Sequence, residues 1–295
     1  MGGLRLGAMC SVPDARVLGD RLDAVTAVGL DCVQITVPGA TSARAWGEML
    51  AACGRRGVAV AALGCYANLA RPDDPGLHGA TAADVEVAFA ALAAGGGPLP
   101  RQVVVWSGTF GPDLLAGDPR NGTIETWHTV VTSVARLARR ARELGCRLLV
   151  EPYHRHCLGT PRDYVLLMRA ALEAAGLPVD PAGAPLGVVL DAPNLVGTEA
   201  LDQLDDHLAA AIHTLGPWTG LVPLKDIGPA AGGQGVPALP PPGAGVIDYP
   251  AYLRRLAARV DGRVPAIAEH YDEADPNALA HVAAFLRAAG GGSGP

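Results

Sequence analysis

The most informative shortage in this 295-residue chain is of lysine. Of its 23 basic residues only Lys225 is a lysine, and the other 22 are arginines. A composition rich in Ala, Gly, Pro and Arg explains the preference for arginine but not the one exception. Lysine differs from arginine in being a compact point charge whose pKa shifts readily on burial. Because Lys225 stands at the end of an apolar, strand-like run, we interpret it as a functional residue.

Other shortages argue against whole classes of protein. The net charge is −6 and no block of basic residues occurs, which argues against nucleic-acid binding because phosphate contacts need grouped Lys and Arg. No apolar run reaches transmembrane length and the first residues do not resemble a signal peptide, so we expect a cytoplasmic protein without a membrane partner. The six cysteines form no C-x-x-C pair, which indicates buried thiols rather than disulfides or a zinc site.

What the chain does contain is eight strand-like runs alternating with eight helix-like segments. Strands are predicted at 4–10, 31–37, 58–66, 102–107, 147–151, 187–191, 221–225 and 266–269. Helices are predicted at 14–29, 41–57, 81–95, 124–144, 161–175, 201–215, 249–260 and 276–289. Strict alternation indicates a parallel sheet, and eight units are enough to close into a (β/α)8 TIM barrel. A doubly wound sheet, the alternative, would need a Gly-rich phosphate-binding turn after the first strand, where this chain reads SVPDAR.

This alternation leaves no room for a second domain. We therefore expect one barrel domain over residues 1–289, followed by a flexible Gly-rich tail over residues 290–295. A Gly- and Pro-rich segment at 228–244 follows the seventh predicted strand, on the side of the barrel mouth. Long loops at this end of a barrel often cover the active site, so we predict that this one is a lid.

Four predicted strands end in a charged side chain. The run CRLLVE ends at Glu151, LGVVLD at Asp191, TGLVPLK at Lys225 and VPAIAE at Glu269. The intervals of 40, 34 and 44 residues each match about one strand–helix unit. Each acid could simply close a strand end, but matched positions on successive strands favour function. Because the carboxyl ends of barrel strands meet at one mouth, we expect the three acids and the lysine in one pocket.

Four stretches also carry a resemblance to a known family. LLVEPYHRHCLGTP, GVVLDAPN, PLKDIG and the run from PPGAGVIDYPAYLRRL to AIAEHY resemble the xylose isomerase-like TIM barrels known as sugar phosphate isomerases and epimerases. The resemblance implies an isomerase or epimerase that acts on a small sugar or polyol by abstracting a proton beside a carbonyl. A related lyase or dehydratase, or a metal-free sugar-binding relative with a degenerate metal site, is the alternative.

The resemblance further implies a divalent metal held by Glu, Asp, His and Glu. Three of these ligands carry over to Glu151, Asp191 and Glu269, whereas Pro223 occupies the histidine position and cannot bind a metal. All-carboxylate ligation favours Mn²⁺ or Mg²⁺ over Zn²⁺. Lys225 offers a second solution, because its ammonium could neutralise part of this charge and hold a substrate oxygen in place of a metal.

Roles for individual residues follow from the same resemblance. Glu151 and Glu269 are expected to exchange a proton on opposite faces of the substrate, with Lys225 as the third catalytic residue. Histidines just after Glu151 could replace the missing ligand or contact a substrate hydroxyl. His270 receives no role, because strand alternation points it away from the face of Glu269. The predicted substrate-binding residues are His154, His156, Asn194, which replaces another family histidine, and Trp106, which could also be a core residue.

Two further alternatives concern partners. A metallo-hydrolase, such as the endonuclease relatives of this barrel, would need more histidines and carboxylates and a basic face for DNA, and this acidic chain has neither. A small-molecule sugar or polyol is therefore the expected partner. Assembly into a homo-oligomer is left open.

Overall fold

The chain folds into a closed ring of eight parallel strands that pair in sequence order. The structure is a computed structural model, and it describes residues 4–75, 79–95, 97–113, 116–230, 236–275 and 277–291. Strand β1 pairs with both β2 and β8, which closes the ring and confirms the predicted (β/α)8 barrel. The strands are β1 (Arg5–Ser11), β2 (Cys32–Thr36), β3 (Ala59–Asn68), β4 (Gln102–Trp106), β5 (Arg147–Glu151), β6 (Leu186–Val189), β7 (Thr219–Leu224) and β8 (Pro265–Ala268). The helices are α1 (Ala15–Ala27), α2 (Ala43–Arg55), α3 (Ala82–Gly95), α4 (Ile124–Glu143), α5 (Pro161–Ala175), α6 (Leu204–Leu215), α7 (Tyr249–Arg259) and α8 (Ala278–Gly291).

The apolar core has two layers, because successive residues of each barrel strand face opposite sides of the sheet. In β5, Leu148 and Val150 point outward and pack in the layer between strands and helices, while Leu149 points into the barrel. The barrel interior is filled mainly by small and branched side chains. Its members are Cys32, Ala59, Ala61, Ala62, Val104, Leu149, Val189, Leu221 and Ile267.

Helix α5 shows how local sequence sets an element boundary. Thr160 precedes the helix and forms a capping box with Asp163, so that two backbone N–H groups at the helix start find acceptors. Gly176 ends the helix in the left-handed conformation, with φ of 69°. These signals lie within the segment itself, which is why the prediction of a helix at 161–175 matches the structure.

Five strands end one or two residues earlier than predicted, among them the three that lead to Asp191, Lys225 and Glu269. Strands β6, β7 and β8 stop at Val189, Leu224 and Ala268, so Asp191, Lys225 and Glu269 lie just beyond them, whereas Glu151 is still within β5. Strand β3 instead runs further than predicted, to Asn68, after an irregularity in its pairing with β4. The charged residues therefore occupy the rim of the barrel, where the backbone is released from the strand ladder.

Helix α8 includes the two glycines at 290 and 291, which the sequence assigned to the tail. The remainder of the predicted tail, residues 292–295, lies outside the described residues, as do residues 231–235 of the predicted lid. Within the described part of the chain, no helix has both the length and the apolar character required to cross a membrane.

Asp226 holds the described parts of the segment after β7 against the barrel by hydrogen bonds. One oxygen of its buried carboxylate, Oδ1, accepts the backbone N–H groups of Ile227 and Ile247 at 2.8 and 3.0 Å. The other, Oδ2, accepts the N–H of Gly243 at 3.0 Å. Asp226 thus holds this segment against the end of β7.

Candidate active site

A small cavity of about 260 Å³ lies at the carboxyl end of the barrel. Glu151, Lys225 and Glu269 line it, each only 3 % exposed, and Asp191 lies fully buried beside them. The structure thus brings together the four charged residues that the sequence placed at one mouth. Of the predicted substrate-binding residues, the cavity is lined by Trp106, His156 and Asn194.

The ammonium of Lys225 lies between two of the acids. Its Nζ is 2.5 Å from Oδ2 of Asp191 and 3.4 Å from Oε2 of Glu269. The backbone carbonyl of Lys225 accepts a hydrogen bond from the Tyr249 hydroxyl at 2.9 Å, which holds the start of the β7 loop in place. One compact cation therefore joins the ends of three neighbouring strands.

Asn194 connects the ends of β5 and β6. Its side-chain amide donates to Oε1 of Glu151 at 3.3 Å, and its backbone N–H donates to Oδ1 of Asp191 at 3.2 Å. Its carbonyl accepts the backbone N–H of His154 at 2.8 Å, and Nδ1 of the His154 ring lies 3.2 Å from the same oxygen. His154 is thus held by Asn194 and is not among the residues that line the cavity.

Burial raises the pKa of all three acids in this cluster. Burial raises the pKa of Glu151 well above its usual range, and the negative charges of Glu269 and Asp191 raise it further. Burial also raises the pKa of Asp191 and of Glu269, although Lys225 acts in the opposite direction on both. Burial alone would lower the pKa of Lys225, but the three surrounding carboxylates outweigh it and raise this pKa above its ordinary value. Lys225 therefore stays charged, and Glu151 is the acid that most readily keeps a proton.

Aromatic rings form one wall of the cavity. The Tyr66 and Trp106 rings lie 5.1 Å apart between centroids, and His156 meets the indole edge-on at 5.2 Å. The Tyr66 hydroxyl accepts a hydrogen bond from Gln34 at 2.8 Å. Flat rings of this kind can pack against the C–H face of a sugar.

Tyr66 and His270 were not predicted as site residues. Both have positive φ, 51° for Tyr66 and 61° for His270, a conformation that is costly for side chains of this size and tends to occur at functional sites. Strand alternation does not hold at a residue with positive φ. The prediction that His270 points away from the site was therefore wrong, because His270 lines the cavity. The dipeptide E-H after an apolar strand was the available signal, but the backbone turn cannot be deduced from it.

His270 is fixed by a short contact, with Nδ1 2.6 Å from the carbonyl oxygen of Leu239 in the segment after β7. Surrounding protein atoms lower the pKa of His270 to about 4, and the charge of Lys225 adds to this effect, although part of the residue is exposed at the rim. His270 is thus a neutral hydrogen-bonding group that connects β8 to that segment.

Two buried hydroxyl groups also line the cavity and were missed from the sequence. Thr36 Oγ1 and the Tyr153 hydroxyl have no hydrogen-bond partner among the described residues. Gly64 leaves the space for Thr36, because a Cβ there would lie 2.6 Å from Oγ1. Buried polar groups are nearly always paired, so these two are available to a polar ligand.

The expected divalent-metal site does not fit this arrangement. The cation among the carboxylates is the Lys225 ammonium, and Pro223, buried in β7, supplies no ligand atom. In the described parts of the chain, no group of three His, Cys, Asp or Glu side chains is arranged to hold a metal ion. Which ion, if any, the carboxylates bind therefore stays a prediction.

The ring of eight parallel strands, with charged residues at its carboxyl end, defines a TIM barrel. Residues 22–289 match the model of the xylose isomerase-like TIM barrel family, and the chain belongs to that family. Among curated proteins none matches the chain in sequence.

Solved structures agree on the fold. A 3-keto-D-glucoside 4-epimerase from E. coli is 18 % identical with a TM-score of 0.64, over 96 % of this chain and 99 % of that one. A xylose isomerase-like protein from Mycobacterium smegmatis, in complex with magnesium, is 20 % identical with a TM-score of 0.63, over 93 % and 90 %. A probable 3-DHS dehydratase from Bacillus anthracis is 11 % identical with a TM-score of 0.61, over 96 % and 98 %. At such identities the similarity shows the architecture alone.

Proposed function

We propose that this chain is a sugar epimerase or isomerase that moves a proton on the carbon beside a carbonyl group. The observation that carries the proposal is the convergence of the buried side chains of Glu151, Lys225 and Glu269 on one small cavity. Membership of the family supports the same kind of chemistry, as does a structural neighbour named as a sugar epimerase.

The two glutamates are suited to opposite roles. Glu269 lies 3.4 Å from the Lys225 ammonium, which favours its carboxylate form and makes it the base that takes the proton. Glu151, whose pKa is raised well above its usual range by burial and by neighbouring acids, keeps a proton and acts as the acid. Strands β5 and β8 are three positions apart in the ring of eight, so the two groups approach a substrate from different sides.

Lys225 supplies the positive charge that this reaction needs. Removing a proton beside a carbonyl moves negative charge onto the carbonyl oxygen, and a fixed cation beside that oxygen stabilises the enolate that forms. The ammonium lines the cavity beside Glu269 and has three donors, of which Asp191 and Glu269 receive two. The third donor is available to the substrate oxygen.

The substrate class we propose is an unphosphorylated monosaccharide or polyol-derived ketone. A cavity of about 260 Å³ is at the small end of ligand pockets. Its unpaired hydroxyls at Thr36 and Tyr153 suit sugar hydroxyl groups, and the ring of Trp106 suits a C–H face. No arginine lines it among the described residues, and its lysine is already engaged by two acids, so nothing there is free to hold a phosphate.

The first prediction tests the two glutamates by proton exchange in D₂O. A panel of free ketopentoses and ketohexoses is incubated with the protein, and NMR records both deuterium beside the carbonyl and inversion. For the epimer from which Glu269 removes the proton, Glu269→Gln should abolish both signals. Glu151→Gln should keep the deuterium exchange but lose the inversion, because Glu269 can still take and return a proton on its own face.

The control for this experiment is Glu173→Gln on the exposed face of α5, which should behave as wild type. Inversion at near wild-type rate in either active-site variant would show that the two-glutamate mechanism is wrong. Loss of water from the sugar, in place of inversion, would assign the chain to the lyases, the alternative that shares the first proton transfer.

A further inference from the structure

We propose that this chain has replaced the divalent cation of its family with the ammonium of Lys225, and that Pro223 is the residue that decides the replacement. The inference deepens the proposed function, on which it rests for its meaning in catalysis. Its central measurement is metal binding, which needs no substrate. The two proposals can therefore fail separately.

The first step is the direction of side chains in β7. Leu221 belongs to the barrel interior, whereas Val222 and Leu224 pack in the outer layer against the helices. Alternation therefore turns positions 223 and 225 inward as well. Position 223 lies one interior layer beneath the ammonium, and Pro223 pairs across the sheet with Ile267, itself an interior residue.

The second step is that four of the six carboxylate oxygens of Glu151, Asp191 and Glu269 already have a donor, while Oε2 of Glu151 and Oε1 of Glu269 have none among the described residues. Lys225 contacts Oδ2 of Asp191 and Oε2 of Glu269. Asn194 donates to the remaining oxygen of Asp191 and to Oε1 of Glu151. Asn194 thus presents N–H groups to both acids, where a metal ligand would have to present a lone pair.

The third step is the nature of the cation. A divalent ion bound to these carboxylates would lie next to the Lys225 ammonium and be repelled by it in a buried site. Lysine suits the position because its charge is compact, while a planar guanidinium would need more space and two aligned acceptors.

The test is calorimetric titration of Mn²⁺ into chelator-treated protein, with bound metal measured by elemental analysis. Wild type should contain no stoichiometric metal and should show no Mn²⁺ binding up to about 1 mM. The double variant Pro223→His/Lys225→Met should bind Mn²⁺ at least about 100-fold more tightly than wild type, because it removes the ammonium and adds an imidazole ligand.

The matched control is Pro223→Ala/Lys225→Met, which removes the same two residues but adds no ligand. It should bind Mn²⁺ more weakly than the histidine variant, and circular dichroism should show that both are folded. Should the double variants not fold, the wild-type titration decides alone. Tight stoichiometric Mn²⁺ or Zn²⁺ binding by the wild type, or equal binding by the two double variants, would overturn the proposal.

Discussion

At the scale of single residues, Glu151 is a carboxyl group whose surroundings favour its neutral form. It is 3 % exposed, and burial and the charges of Glu269 and Asp191 all raise its pKa. A raised pKa means that the folded protein holds this proton more tightly than the unfolded chain does. The stability that Glu151 contributes is therefore fully present below the ordinary glutamate pKa of about 4.3 and is lost as the pH rises through the folded-state pKa.

The resulting prediction concerns Glu151→Gln, whose amide resembles the protonated acid. Its free energy of unfolding, relative to wild type, should increase from about pH 5 to about pH 8, by up to about 1.4 kcal/mol for each unit by which the pKa of Glu151 is raised. Urea denaturation at several pH values measures this difference. Glu173→Gln should show no such trend, and a wild type that gains on the variant with rising pH would contradict the prediction.

The residue scale is also where prediction from sequence was least complete. Glu151, Asp191, Lys225 and Glu269 could be placed together because each ends a strand of a barrel, and position on a strand is a local property. Tyr66, in contrast, reaches the cavity through positive φ within an irregular stretch of β3, which depends on its neighbours in other strands. Sequence periodicity carries no information about such a turn.

At the scale of elements, the segment after β7 depends on one carboxylate. Asp226 accepts three backbone N–H groups, and two of the donors, Gly243 and Ile247, lie 17 and 21 residues further along the chain. The same segment contributes Leu239 to the cavity wall and, through its carbonyl, holds His270. Helix and strand order could be predicted because each unit carries its own pattern, whereas this attachment could not, because it joins residues with no shared period.

We therefore predict that Asp226→Ala loosens this segment and lowers stability. Three backbone N–H groups lose their acceptor at about 1 kcal/mol each, so the free energy of unfolding should fall by roughly 3 kcal/mol. Hydrogen exchange over residues 238–247 should accelerate more than exchange in β5. Asp180→Ala removes one comparable hydrogen bond in an exposed loop and should cost far less. Unchanged exchange at 238–247 would show that the carboxylate does not hold the segment.

At the scale of the whole molecule, the site exists only when the ring is closed. Asp191, Lys225 and Glu269 come from three consecutive strand ends, and β8 is held in register by β1, which begins at residue 5. Contacts between the first and last strands bring together residues far apart in the chain. Any loss of ring closure therefore separates the charged groups.

Because the one lysine of the chain is buried, reagents that acylate amines should not modify a lysine side chain of the folded barrel. Lys225 is 3 % exposed and ion-paired, so in native protein such a reagent should leave its ε-amine intact. Acylation of Lys225, followed by mass spectrometry against urea concentration, should rise along the same curve as circular dichroism. Rapid acylation of Lys225 in native protein would contradict this prediction. A protease specific for lysine likewise has one cleavage site, at the end of β7, so a single cut reports the state of the entire ring.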